Sequence, residues 1–310
     1  MHCGRTRPNI AAALLITCLA GAAPLLLQGS AHARPRPKPV IVRARDSVNY
    51  KAEVTIVGKL KHGRPGQKVY LKRRVVGRGS SIIREKRVKE NLRVKFYLQD
   101  LTRSAYYRII FKPRQGHRRL SRPALVEVRP QLRFNVIPND AMRGRKVDAV
   151  GKFKPAIANR TVIIQLALKD GWERVRKVGV GDGKFSIRFA PEARGKSRIR
   201  AVFRGDELNG PTSRKERLWV YNKGEATWYG PGFYGRTTAC GRTLRRTTLG
   251  VAHRRLPCGT VVNFLYRRRT IAVKVIDRGP YGEADWDLTK ATKDRLHFEG
   301  RDQVGFIVER

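Results

Sequence analysis

Between Thr227 and Thr292 the chain collects residue types that could act on a carbohydrate. Asp277, in VKVIDRGPY, follows an apolar run and precedes a glycine-proline turn, which places its carboxyl at the end of a strand. A carboxyl so placed is reachable for acid–base chemistry, and burial or a neighbouring carboxylate such as Asp287 could raise its pKa for acid duty near neutrality. His253, in GVAHRRLPCGT, titrates near neutrality and suits proton handling. Trp228, Tyr229, Phe233, Tyr234 and Tyr281 offer flat rings for the C–H face of a pyranose, and tyrosine hydroxyls reach its polar edge. Each of these residues also has an ordinary structural use. An aspartate in a glycine turn accepts backbone N–H bonds, a short polar residue at 287 caps a helix, a histidine ties down a carbonyl, and aromatic rings fill cores.

Holding such groups in place requires short strands and tight turns. Segments starting at Gly224, Val261, Ile271 and Val304 read as strands. One helix is predicted to start around Asp287 to Thr289 and to place Leu288, Ala291 and Leu296 on one face. Several strands with so little helix fit a small closed barrel over 224–310. Upstream, Val57-Gly58-Lys59-Leu60-Lys61 recurs as Val150-Gly151-Lys152-Phe153-Lys154. The same offset aligns Val69-Tyr70-Leu71 with Val162-Ile163-Ile164, and Leu125-Val126-Glu127-Val128 with Leu218-Trp219-Val220-Tyr221, so one domain occurs twice. About seven alternating strands in about ninety residues predict two tandem immunoglobulin-like β-sandwiches, over 46–130 and 131–222, in a mainly β chain. Neither copy carries a catalytic constellation, which leaves spacing, wall adhesion or a purely structural role.

Arg5 and Arg7 precede the apolar run Ile10 to Leu27, and Ala31-His32-Ala33 follows, so residues 1–33 read as a secretory signal cleaved after Ala33. A retained membrane anchor is the competing reading, and no stable span remains once the signal is removed. A basic, proline-rich linker, expected to be extended and poorly ordered, occupies 34–45. The formal net charge is +44, and loss of the signal removes only Arg5 and Arg7. In an exported chain this charge points to anionic wall polymers rather than nucleic acid, and it is spread along every segment rather than bunched into one recognition element. Cys240 and Cys258 are the cysteines left after the signal, and in an oxidising compartment they read as a disulfide. Metal binding is the weaker option, because no histidine or cysteine spacing matches a zinc site. No cofactor is expected.

TWYGPGFYGRTTACG, GVAHRRLPCGT, VKVIDRGPY and WDLTKAT, in that order, resemble the RlpA-like double-psi β-barrel family, over Ala226 to about Phe306. The resemblance implies a double-psi barrel and, for active members, lytic transglycosylation of peptidoglycan glycan strands to give 1,6-anhydro-muramyl ends. It implies Asp277 as the acid/base with His253 assisting. Tyr229, Tyr234, Thr238, Arg242, Arg278, Tyr281 and Asp287 become candidates for contact with the glycan. One departure stands out: where lytic members carry a glutamate after A-N-G, this chain reads Ala239-Cys240-Gly241-Arg242. A guanidinium cannot act as a base, although it can bind a muramic carboxylate. An expansin-like barrel that grips glycan without cutting it, or a structural wall adhesin, therefore stays open beside the lytic reading. A periplasmic setting and a cell-wall exterior fit equally.

Overall fold

The computed structural model describes residues 35–309, and the signal expected over 1–33 lies outside them. The first repeat contains β1 (Lys38–Arg43), β2 (Ser47–Asn49), β3 (Ala52–Lys61), β4 (Lys68–Val75), β5 (Ser80–Arg87), β6 (Arg93–Leu101), β7 (Ala105–Phe111), β8 (Arg119–Leu120) and β9 (Ala124–Arg129). One sheet has the order β1-β3-β6; a second has the order β2-β9-β7-β4-β5, with β8 beside β7. The period of two in the sequence explains the layering: in β6, Val94, Phe96 and Leu98 are buried while Arg93, Lys95 and Tyr97 face out. Ile56, Leu71, Phe96, Ile109 and Val126, drawn from both sheets, share one core.

The second repeat contains β10 (Gln131–Ile137), β11 (Asp140–Met142), β12 (Val147–Lys154), β13 (Arg160–Leu168), β14 (Gly171–Val180), β15 (Lys184–Phe189), β16 (Gly195–Phe203) and the first part of β17 (Thr212–Tyr229). Its sheets, β10-β12-β15 and β11-β17-β16-β13-β14, repeat the first strand for strand. Phe134, Ala149, Phe153, Ile164, Ile199 and Val220 belong to its core. The recurring glycine has one cause in both copies. A Cβ at Gly58 would lie 2.0 Å from Ile109 Cδ1, and one at Gly151 would lie 2.1 Å from Phe185 Cζ. Asn209, fully buried, joins the repeats: its Nδ2 donates to Thr102 O and Val128 O, and its Oδ1 accepts from Arg160.

Part of the stretch expected as a loose linker over 34–45 is instead β1, paired with β3 along Lys38↔Lys61 to Arg43↔Val57. The reason is local. Val40 and Ile41 supply strand character, and Pro39 is tolerated because β1 is an edge strand.

No linker separates the second repeat from the C-terminal unit. β17 pairs with β16 up to Val220 and with β22 (Asp302–Val308) from Asn222, so one strand serves both units. The remaining elements are β18 (Val251–Ala252), β19 (Val261–Tyr266), β20 (Arg269–Asp277), β21 (Trp286–Thr289) and α1 (Lys290–Leu296). β19 is apolar along nearly its whole length because both faces are covered. Val262, Phe264 and Tyr266 enter the barrel core around Trp286 and Leu288, while Leu265 packs with Tyr221 and Ile307 beside Trp219 and Met142 of the second repeat. The helix begins at the late end of the expected span. Asp287 and Leu288 belong to β21, and Thr289 is the N-cap, its side chain accepting from Thr292 N. The pairing of β21 with β17 claims those residues for the sheet. Among the described residues no helix is long and apolar enough to cross a membrane.

Candidate functional site

Strand register brings the site together. Asp277 of β20 pairs with Ala252 of β18, Ala252 pairs with Asp287 of β21, and Asp287 pairs with Thr227 of β17. The two aspartates thus sit two strands apart, about 10 Å between backbones at the usual strand spacing, with the small side chain of Ala252 between them. Asp277 is half-buried, and its Oδ1 accepts from the backbone N–H groups of Ala239 and Arg278, each at 2.9 Å. Asp287 is also half-buried, and Thr227 Oγ1 donates to its Oδ1 at 2.8 Å. Burial raises the pKa of Asp287; the Thr227 bond opposes this, and the Asp277 charge adds to the rise. The sheet thus carries a carboxyl biased toward holding a proton near a second carboxyl, Asp277, which takes two backbone N–H bonds on Oδ1 and has the buried Tyr229 hydroxyl beside it.

Tyr229 lies two residues beyond Thr227 on the same strand and hence on the same face. Its hydroxyl is buried with no partner in full hydrogen-bond geometry, and burial together with the Asp277 and Asp287 charges holds its pKa far above the usual phenol range. Tyr234 packs its hydroxyl over Gly230, where a Cβ would come within 2.7 Å of it, and Arg246 covers its ring. Tyr281 is 91% exposed. Trp228 packs against the barrel core beneath Lys293. Thr238 is buried, accepting from Arg242 N at 3.2 Å, while the Arg242 side chain is exposed and forms no ion pair among the described residues.

His253 approaches Asp277 through the main chain, its N–H donating to Asp277 O at 3.2 Å. Its Nδ1 accepts from Arg255 N at 3.1 Å and Leu256 N at 2.9 Å, and its ring lies 4.6 Å from that of Trp286. Burial, then the charges of Arg254 and Arg278, lower its pKa, so the neutral imidazole that those two bonds require is the favoured form. Arg278, a candidate for ligand contact, instead reaches the Leu256 carbonyl at 3.0 Å and approaches Cys258 Sγ. Arg254 makes the reciprocal crossing, with Nε on Pro280 O at 2.8 Å and further bonds to Gly282 O and Ala284 O. The loop after β18 and the loop after β20 therefore brace each other. Cys240 and Cys258 form a disulfide, Cα–Cα 5.7 Å, that anchors the loop bearing the Ala239 N–H. On the chain-entropy account, closing this loop is worth about 3 kcal/mol.

Thr227, Ala252, Ala239 N–H and Arg254 are site components that reading of the sequence did not single out. Only cross-strand register identifies the first two. The fourth is one of 68 lysines and arginines, so its type carries no signal. Among the described residues no group of three or more His, Cys, Asp or Glu side chains is arranged to hold a metal. Two clefts, of about 860 Å³ on the first repeat and about 1060 Å³ beside the second, are lined by neither Asp277, Asp287 nor His253.

Residues 221–304 match the sequence profile of the family described as lytic transglycolase. An endolytic peptidoglycan transglycosylase RlpA of Campylobacter jejuni is 45% identical over 76 residues, 24% of this chain and 28% of that protein. A probable endolytic peptidoglycan transglycosylase RlpA of Aquifex aeolicus is 48% identical over 79 residues, 24% of this chain and 35% of that protein. An endolytic peptidoglycan transglycosylase RlpA of Neisseria meningitidis is 35% identical over 90 residues, covering 28% and 38%. The chain thus spans about a third of the length of these curated relatives. Among solved structures, a tetra-tandem repeat from the extending region of a large adhesion protein aligns over 82% of this chain and 72% of that one. Its 10% identity and TM-score of 0.32 are too low to support an inference. The C-terminal segment is a β-barrel of the double-psi class. More narrowly, it is RlpA-like.

Proposed function

We propose that the chain is an exported envelope protein, freed of its signal after Ala33, whose barrel binds and cleaves peptidoglycan glycan strands as a lytic transglycosylase. The observation that carries this reading is the row Asp277, Ala252, Asp287, with Asp277 half-buried at a strand end and Asp287 raised in pKa by burial. Lytic cleavage needs a proton delivered to the glycosidic oxygen and one withdrawn from the sugar's own 6-hydroxyl, with no water consumed. Asp277 performs both transfers in turn, so the proton it gives to the leaving oxygen is replaced by the one it takes. Asp287, biased toward its neutral form, limits the build-up of negative charge beside it. His253, held by its Nδ1, presents Nε2 to the glycan, and Tyr281 supplies an exposed ring. The names of the RlpA relatives support the peptidoglycan substrate.

The exposed Arg242, without an ion-pair partner among the described residues, favours a second reading, in which the barrel grips muramic carboxylates without cutting, as expansin-like proteins do. The two repeats act as immunoglobulin-like spacers that hold the barrel at the wall; the order β1-β3-β6 opposite β2-β9-β7-β4-β5 supports that assignment. The deciding experiment is mass spectrometry of denuded peptidoglycan after incubation with the protein. Anhydro-muramyl products that disappear with Asp277→Asn are expected. Retention on the glycan with no such products from the parent protein rejects cleavage in favour of binding.

A further inference from the structure

Residues directly opposite in an antiparallel pair share a face of the sheet. On the outward face of β1-β3-β6, Lys38 stands opposite Lys61, Lys59 stands opposite Arg93, and Val57 lies between Arg43 and Lys95. On the corresponding face of β10-β12-β15, Arg133, Lys152 and Lys184 form one row across all three strands. Like charges directly opposite destabilise a sheet, and a surface that served solubility alone would alternate its signs. The nearby acids are few: Asp148 is paired with Arg188 at 2.7 Å, and Glu53, hydrogen-bonded to the neutral Gln99, keeps its charge at one end of the groove on the first face. None of Lys59, Arg93, Lys95, Arg133, Lys152 or Lys184 forms an ion pair among the described residues.

Each face also has a concavity. A groove of about 860 Å³ on the first is lined by Arg43, Arg45, Arg93, Lys95 and Tyr97, whose ring is 60% exposed. Next to the second, a cleft of about 1060 Å³ reaches the barrel hairpin and brings Arg145 and Lys146 to Arg267 and Arg268. The carboxylates in that cleft are engaged, Asp140 by Arg217, Asp148 by Arg188 and Asp302 by Tyr266.

We propose that each of these outward faces is a binding surface for a linear polyanion, separate from the aspartate row and independent of whether the barrel cleaves glycan. Cations repeat at about 4.8 Å across the strands and about 7 Å along them. A polymer with one phosphate or carboxylate per repeat unit can engage several at once, which relieves the repulsion stored in the rows. A globular acidic partner would meet only a few of them.

The test uses the full secreted chain and two probes, inorganic polyphosphate and poly-L-glutamate, titrated over a salt series. The face variants are K59Q/R93Q/K95Q and R133Q/K152Q/K184Q; R174Q/R176Q/K177Q, exposed cations on β14, removes equal charge elsewhere. Each face variant should weaken binding about tenfold and flatten its salt dependence, while the β14 variant stays within about twofold. The probe that loses more affinity identifies the anion, phosphate or carboxylate. Equal weakening by the β14 variant overturns the proposal, because diffuse charge would then account for the binding. Melting temperatures give a second readout: relief of cross-strand repulsion should leave the face variants at or above the parent, and a clear fall in either also overturns it.

Discussion

Thr227→Val removes one donor from Asp287 while nearly preserving side-chain shape. The Thr227 hydroxyl donates at 2.8 Å, and it opposes the two influences that raise the Asp287 pKa, burial and the charge of Asp277. A hydrogen bond to a charged group is worth about 1.5–3 kcal/mol. Asp287 is only half-buried, so solvent screening places this bond at the lower end, about 1.5 kcal/mol. The Asp287 carboxyl should therefore titrate higher in the valine variant than in the parent. Carbon-13 NMR of the aspartate carboxyls across pH measures this directly, with Asp287→Asn assigning the resonance. The stability consequence has a definite sign. A carboxyl whose folded pKa lies above its unfolded value contributes stability that is complete below about pH 3.9 and lost as pH rises through the folded pKa. The variant should therefore fall furthest below the parent near neutrality and approach it in acid. An Asp287 titration that stays in place or moves down refutes the reasoning, because it would mean that Thr227 does not stabilise the ionised form.

His253 should make the opposite contribution. Its folded pKa is depressed, so stability from its neutral Nδ1 is present above about pH 6.5 and is lost as pH falls through the folded value. Thermal melts of the parent should drop on that acid limb, and the gap between parent and His253→Asn, which does not titrate, should narrow there; a constant gap counts against the assignment. The two repeated glycines should differ on substitution. A Cβ at Gly151 meets Arg133 O at 2.6 Å, a backbone atom that cannot yield, whereas at Gly58 the closest atom is the mobile end of Ile109 and the nearest backbone oxygen, Val40 O, is at 3.3 Å. Gly151→Ala should cost about 2–3 kcal/mol and Gly58→Ala about 1 kcal/mol in urea unfolding, and the reverse order would contradict the packing.

How far the sequence could be read depended on whether the information was local. Alternation in β7 and β15 and the repeated Val-Gly-Lys motif are local signals, and strands stand where they point. The lone cysteine pair outside the expected signal identified the disulfide for the same reason. Where proline and basic residues dominated, composition outweighed pattern. The stretch from Lys38 reads by composition as a linker, yet its counterpart one repeat later, from Gln131, lies in a strand pattern, and both are edge strands. Carrying the internal register through would have recovered β1. The site failed differently. Asp277 and Asp287 were recognisable by type, but their relation depends on Ala252 and Thr227, whose significance exists only once four strands lie side by side. The arginines are harder still. In so basic a chain, Arg254 and Arg278, which bind loop carbonyls, cannot be told from Arg242, whose side chain is exposed and forms no ion pair among the described residues, except by the backbone each one faces. Register therefore separates scaffold from chemistry here, and it makes a small residue between two aspartates as informative about function as the aspartates themselves.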